Sequence, residues 1–316
     1  MLRPFRLHEP TSVNDAVSLL GQFGDQAKAY SGGTELLLAM KEGMLRYSHL
    51  VNVKTVSGLD ELSYDAEKGM LSIGSAVTHR ALELSAQVHD QFPLIAEAEG
   101  KVANVRVRNV GTIGGNLCFA EPHSDPAALL LLYGAQVESK GSRGSRTFPL
   151  EEMTLGPYET CLNEDEVLVG VVVPQLPAGM TGAYLKFGYH ARPSLGVGVA
   201  VRLDPALPES SEVGQATVRE ARVAVGSAGP KAVRVAEAEE LLTGKTVAEL
   251  LGAEGPLLDE AGQLAAKAAD AMDDIHGSAE YKEHMVAVFF KRAFARATYG
   301  PHNQANPPEN RPFPSI

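Results

Sequence analysis

Two glycine pairs constrain this chain more than any other feature. Ser31-Gly32-Gly33-Thr34 lies between a short apolar run, Ala27-Lys28-Ala29-Tyr30, and a helical pattern that begins at Glu35. Thr112-Ile113-Gly114-Gly115-Asn116 repeats the arrangement further along. Glycine has no Cβ, so a pair lets the backbone turn through positive φ and aim successive N–H groups into one concavity. A helix start beyond it adds unpaired N–H donors and the positive end of the helix dipole. Each segment is therefore a candidate anion cradle, with Thr112 and Asn116 as flanking side-chain donors in the second. Neither is a Gly-x-Gly-x-x-Gly fingerprint, and no Gly-Lys-Ser/Thr follows either. One such loop reads equally well as a tight turn. Two in one chain suit a diphosphate, which presents two phosphates.

Composition narrows what such a ligand could do. With 316 residues the chain exceeds the size one core usually serves, which predicts two or three domains. Acidic residues outnumber basic ones, 39 to 28, and a net charge of −11 disfavours nucleic acid and anionic lipid as partners. Loop amides still bind anions at contact distance, because salt screens the global field over about 8 Å. Two cysteines, Cys118 and Cys161, make neither a disulfide scaffold nor the four thiolates of an iron–sulfur cluster. Any redox chemistry must then be carried by a bound organic cofactor. No apolar run nears the roughly 20 residues of a membrane span, and no signal-peptide pattern follows Met1. The expected location is the cytoplasm.

Periodicity divides the chain into parts. Residues 1–54 read as strand–helix–strand–loop–helix–strand, with Thr11 as helix cap and Gly21 and Gly24 as stops. Residues 55–176 mix short strands and helices: a strand at Met70–Gly74, helices from Thr78 to Leu84 and from Phe92 to Val102, an apolar helix after Asp125-Pro126, and a β-branched strand ending at Pro174. The Pro-rich stretch Val173–Gly179 is the predicted linker. Residues 177–300 carry three β runs (Tyr184–Tyr189, Val197–Leu203, Ala221–Val225) and then helices at Ala232–Leu242, Leu257–Met272 and Ala279–Tyr299. Residues 301–316 read as a loose tail.

Tyr30-Ser31-Gly32-Gly33-Thr34-Glu35-Leu36, then Arg108-Asn109-Val110-Gly111-Thr112-Ile113-Gly114-Gly115-Asn116-Leu117, then Ser124-Asp125-Pro126, resemble the FAD-binding subunit of the molybdenum hydroxylases. That family includes the medium subunit of aerobic carbon monoxide dehydrogenase and the flavin domain of xanthine dehydrogenase. The similarity extends to Tyr184-Leu185-Lys186-Phe187 and to the closing helix, Tyr281 to Ala297. The resemblance implies an α+β fold: a two-subdomain FAD-binding domain of the PCMH type, followed by a C-terminal domain of a three-stranded antiparallel sheet and a helical bundle. It implies that Ala29, Tyr30, Ser31, Gly32, Gly33, Thr34, Glu35 and Leu36, with Thr112, Ile113, Gly114, Gly115 and Asn116, grip the diphosphate of FAD. Asp125, Leu168 and Lys186 match further FAD contacts, and Val102 stands where the family often has a bulkier apolar one. The implied enzyme is the flavoprotein subunit of an oxidoreductase. It is partnered by a large molybdopterin subunit and a small [2Fe–2S] subunit in a dimer of heterotrimers, passing electrons to an external acceptor.

With the flavin that the resemblance implies, a cation is expected beside it, because reduced flavin gathers negative charge near N1 and the C2 carbonyl. Taken alone, Lys186 reads as a snorkelling strand lysine and Tyr189 as a half-buried strand tyrosine. Lys186 is the first candidate and Arg192 the second; Tyr189 could stack on or shield the ring. A catalytic triad from His123-Ser124-Asp125 is disfavoured, since adjacent side chains point apart, and a loop histidine beside a helix-capping aspartate is the simpler reading. His276, Glu280 and His284 share a helical spacing, but Gly277-Ser278 interrupts it, with Ser278 as the cap, so no metal is expected. Two other readings stay open: a stand-alone FAD oxidoreductase, and a non-catalytic nucleotide-binding assembly module.

Overall fold

The structure, a computed structural model, describes residues 2–188, 192–206, 212–252 and 256–299. Tyr189 and the tail from Pro301 onward lie outside the described residues.

The chain opens with a three-stranded parallel sheet in the order Arg6–His8, His49–Asn52, Ala27–Tyr30. The helix Val13–Phe23 crosses between its first two strands in sequence and buries Ala16, Val17 and Leu20, the recurrence that its sequence pattern predicts. Its cap is Ser12 rather than Thr11. The Ser12 hydroxyl accepts from the Asp15 N–H at 3.1 Å, and Asp15 sits where a helix N-terminus favours negative charge. Gly21 is carried inside the helix, while Gly24, at φ +50°, ends it.

A five-stranded antiparallel sheet follows, ordered Leu62–Asp65, Met70–Gly74, Val167–Pro174, Gln136–Gly141, Gly144–Pro149. The last strand in sequence, Val167–Pro174, returns to the centre, where both its faces are covered. That explains its unbroken β-branched run. The expected helix from Phe92 to Val102 is shorter, Pro93–Glu99, and a separate helix, Ala86–Gln91, precedes it. Asn104 caps a short helix, Val105–Val110, that no periodicity marked.

The third sheet is antiparallel and ordered Met180–Phe187, Leu195–Asp204, Thr217–Gly226, Val233–Arg234. It has four strands, not the expected three. Val233–Arg234 pairs with Ala224 and Val225 before the helix begins at Ala236. Two residues are too few to show an alternation, so a propensity reading merges them with the helix. Pro256–Ala268 and Ala279–Tyr299 complete the helical layer.

Strand Leu195–Asp204 shows how the halves meet. Val197, Val199 and Val201 point to the C-terminal helices, while Ala200 belongs to the core around the helix Asp125–Tyr133. Gly198 faces that helix too: a Cβ on it would lie 3.3 Å from Leu132. The strand alternates large and small because helices press on both faces. Asp125–Tyr133 is therefore apolar on every side, being wedged between two sheets with almost every side chain buried.

Candidate functional site

The first glycine loop leaves strand Ala27–Tyr30 and enters the short helix Leu36–Lys41. Gly33 has φ +70°, the left-handed turn expected of the pair. Gly32 is glycine for another reason. A Cβ there would lie 2.1 Å from the carbonyl oxygen of Val110 and 2.8 Å from Cα of Gly111. The first loop thus lies directly on the second, and the Thr112 hydroxyl donates to Ser31 Oγ across the join at 3.1 Å. Among the described residues, none of the backbone N–H groups from Ser31 to Leu36 has a protein acceptor. Unpaired donors in succession form the nest that the sequence called for. The helix behind it spans Leu36–Lys41, too short for its dipole to add much.

The second loop differs from its expectation. Gly114 and Gly115 take helical geometry at the start of Ile113–Phe119, capped by Thr112. Their amides are already engaged: Gly114 N–H donates to the Ser75 carbonyl at 3.0 Å, and Gly115 N–H to Thr112 Oγ1 at 3.0 Å. Glycine is required at 114 by packing, since a Cβ would sit 2.5 Å from Ser75. A positive-φ turn and a tightly packed helix start leave the same two letters in a sequence. The donor still on offer here is the Asn116 side chain, whose carbonyl accepts from Ser124 Oγ at 2.6 Å so that its –NH2 is turned elsewhere.

Both loops border one cleft of about 430 Å³. Ala29, Tyr30, Ser31, Gly32, Gly33, Thr34, Glu35 and Leu36 line it, as do Val102, Thr112, Gly114, Gly115, Asn116, Asp125 and Leu168. Ile113 does not. Its side chain is buried in the core against the second sheet. Lys186 also stands back from the lining, only 5% exposed, with Nζ 2.5 Å from Asp125 Oδ2 and 3.1 Å from the Lys101 carbonyl. The Tyr184 hydroxyl donates to the other Asp125 oxygen at 2.9 Å, and burial beside that carboxylate pushes the phenol well above its ordinary pKa. Asp125 is thus the centre of a buried triad, not the helix-capping group its position suggested. Its charge is neutralised from the sheet side.

Arg192, the second candidate cation, does line the cleft. Its guanidinium joins Glu35 of the first loop (2.7 Å) to Glu121 (2.6 Å). Glu121 also accepts from Tyr158 at 2.9 Å and lies 3.2 Å from His123. Burial raises the Glu121 carboxyl, but His123, Arg192 and Tyr158 outweigh it and hold the group below the usual glutamate range. His123 Nε2 reaches Asp274 at 2.8 Å, and Asp274 is paired with the fully buried Lys282. These bonds tie the cleft's mouth to the C-terminal part. Cys118 lines the cleft as a thiol that burial pushes up to about 12, which leaves it protonated and unreactive. Lys28, Ser75 and His79 also line the cleft. Sequence reading missed them, because nothing marks a lone lysine in a strand or a histidine after a helix cap.

Comparison with known proteins shows the family to which this fold belongs. Residues 3–176 match the family described as the FAD binding domain in molybdopterin dehydrogenase, and residues 191–297 match the CO dehydrogenase flavoprotein C-terminal domain. The chain belongs to this flavoprotein family. It is 34% identical to the carbon monoxide dehydrogenase medium chain of Hydrogenophaga pseudoflava, over 93% of this chain and 96% of that one. It is 33% identical to the nicotine 6-hydroxylase medium subunit of Paenarthrobacter nicotinovorans, over 94% and 98%. With the xanthine dehydrogenase FAD-binding subunit of Escherichia coli O157:H7 it shares 31% identity over 74% and 77%. A solved carbon monoxide dehydrogenase from Hydrogenophaga pseudoflava superposes with a TM-score of 0.84, covering 94% of this chain and 98% of that one.

As a member of the family, the chain is a flavoprotein of oxidoreductases, and FAD is its cofactor. The cleft suits it: a run of unpaired amides can take the diphosphate, and the largely apolar remainder can take ring systems. Among the described residues no cluster of His, Cys, Asp and Glu could hold a metal, and no helix is long and apolar enough to cross a membrane.

Proposed function

We propose that this chain is the FAD-carrying subunit of a heterotrimeric molybdenum hydroxylase. It takes electrons from a [2Fe–2S] cluster on a small partner subunit and passes them to an external acceptor. A large molybdopterin subunit does the chemistry on the organic substrate, and the assembly is a cytoplasmic dimer of heterotrimers. Support comes from likeness, over nearly the whole chain, to medium subunits of several such enzymes, and from a cysteine count that leaves clusters to other chains. The relatives' names span carbon monoxide, nicotine and xanthine. A flavin subunit common to such different substrates is expected not to select among them.

The observation that carries this reading is the run of unpaired N–H groups from Ser31 to Leu36, packed on the second loop in one cleft. In this reading Ala29 to Leu36 hold the diphosphate from one side and the Asn116 amide from the other, while Thr112 and Gly115 wall the cleft between them. Ile113 and Gly114 act by packing, Val102 and Leu168 offer apolar walls, and Asp125 is kept in place by Lys186. Bound FAD supplies a two-electron store that exchanges electrons with one-electron centres. Boundaries near residues 54 and 176 would separate the two FAD-binding subdomains and the C-terminal domain.

Absorbance of the purified chain, with whatever subunits accompany it, tests the proposal. Flavin bands should be present or appear on adding FAD. FAD should bind at least about tenfold more tightly than AMP, ADP or NAD, a gap of about 1.4 kcal/mol. Absence of flavin bands after FAD addition would sink it. Turnover of a small molecule by the isolated chain would favour the stand-alone oxidoreductase.

A further inference from the structure

Ser75 and His79 belong to neither glycine loop, yet both line the cleft and are almost wholly buried, at 4% and 3% exposure. Ser75 follows strand Met70–Gly74, and its backbone is fixed on both sides. Its N–H donates to the Val169 carbonyl at 2.9 Å, and its own carbonyl accepts from Gly114 at 3.0 Å. Its hydroxyl, by contrast, has no hydrogen-bond partner among the described residues. A buried hydroxyl left unpaired is unfavourable, so such a group at a binding cleft marks where a ligand completes the bonding.

His79 opens the helix His79–Leu84, and its N–H donates to the Gly111 carbonyl at 3.1 Å. Its ring Nδ1 lies 2.7 Å from Oε2 of Glu99, itself only 2% exposed. A carboxylate there accepts the Nδ1 proton and orients the ring. Nε2 has no partner among the described residues. A Cβ built on Gly111 would come within 3.7 Å of Nε2, and Gly111 is the residue against which Gly32 packs. The imidazole therefore stands at the junction of the two loops, beside the unpaired amides.

We propose that His79, as an imidazolium held by Glu99, is together with Ser75 a further ligand of the cofactor's diphosphate, so that FAD binding is linked to proton uptake at His79. The inference rests on the FAD reading of the cleft. A neutral ring whose Nδ1–H points at Glu99 presents a lone pair at Nε2, which repels phosphate oxygens. A second proton makes Nε2 a donor and sets the positive charge between two anions. Other charged groups on the neighbouring helices are already occupied or face outward: Arg80 and Arg108 pair with Glu83, Lys101 pairs with Glu97, and Arg106 is exposed. Across the cleft Glu35 is joined to Arg192, and Asp125 to Lys186. Lys28, on strand Ala27–Tyr30, lines the cleft as well and brings a second cation toward the same diphosphate.

Titration of FAD into the apo full-length chain, with any subunits that accompany it, between pH 6 and 8 tests this by flavin fluorescence. Wild type should bind more weakly as pH rises. His79→Gln, which can still donate to Glu99, should bind roughly tenfold more weakly at pH 6 and lose most of the pH dependence. Ser75→Ala removes no protein hydrogen bond, so it should fold normally and still weaken FAD several-fold. ADP, which keeps the diphosphate, should show the same ordering of variants, whereas adenosine should not distinguish them. If His79→Gln and Ser75→Ala both bind FAD as wild type does at every pH, the proposal is overturned while the FAD reading stands. A wild-type chain that binds no FAD overturns both.

Discussion

At the scale of single residues, the same amino acid is held in place by different physics. Gly33 needs its positive φ, Gly32 needs the absence of a Cβ, and Gly114 needs room against Ser75. Gly43 has φ +82° but open space around it. Gly32→Ala should therefore destabilise the fold by about 1–3 kcal/mol through forced displacement of Val110, and weaken FAD at least tenfold as the two loops part. Gly43→Ala should cost about 1 kcal/mol of left-handed strain and leave FAD affinity unchanged. Urea unfolding and a flavin titration on both variants separate the cases. Equal flavin affinity in the two would refute the close-approach account.

Elements are joined here by buried charge as much as by apolar packing. Asp125, at the start of its helix, is tied to strand Met180–Phe187 through Lys186 and Tyr184. Removing one partner of such a pair strands the other charge, at a typical cost of about 3–5 kcal/mol. Glu166 performs a similar task in the second sheet, just ahead of strand Val167–Pro174. It bonds Ser139 at 2.5 Å, Arg146 at 2.6 and 2.9 Å, and the Asn163 N–H at 3.0 Å. Burial raises its carboxyl, but Arg146, Ser139 and Asn163 prevail and bring it down to about 2 from an ordinary 4.5. A folded-state pKa below the unfolded one adds stability above about pH 4.5 that is lost as pH falls toward 2. Glu166→Gln should be less stable than wild type at neutral pH, and the gap should narrow across that acid window. Thermal melts at pH 6 and pH 3 measure it; a gap of constant size would contradict the assignment.

For the molecule as a whole, the central question is whether the halves stand alone. The Pro-rich stretch after Val173 reads as a boundary, yet the helix Asp125–Tyr133 packs against strands Leu195–Asp204 and Thr217–Gly226 beyond it. Arg192 and the His123–Asp274 bond add polar ties at the cleft. A fragment ending at residue 176 should therefore expose Ala128, Leu129 and Leu132 and aggregate or bind a hydrophobic dye. The intact chain should melt in one transition, raised further by saturating FAD. Calorimetry showing two transitions, with a soluble, dye-negative fragment, would mean that the helix belongs to the first half alone.

Much of this protein was legible in its residues because the deciding signals are local. Glycine next to glycine, an apolar period, a proline at a helix start and a shortage of cysteine each speak for themselves. Together they set the mixed α and β elements, the two loops and the fit to a diphosphate, while the resemblance supplied the fold family and FAD. Likeness to relatives extended that to individual positions such as Asp125 and Leu168. What the sequence left unsettled depends on partners distant along the chain. That Gly114 serves packing, that Lys186 is spent on Asp125 while Arg192 borders the cleft, that two residues at Val233 join a sheet, and that Ser75 and His79 line the cleft are consequences of which surfaces meet. Hydrogen bonds and ion pairs are short-ranged, so only the folded chain, by bringing residues 31, 75, 79, 112 and 125 around one cleft, decides which groups remain free to bind.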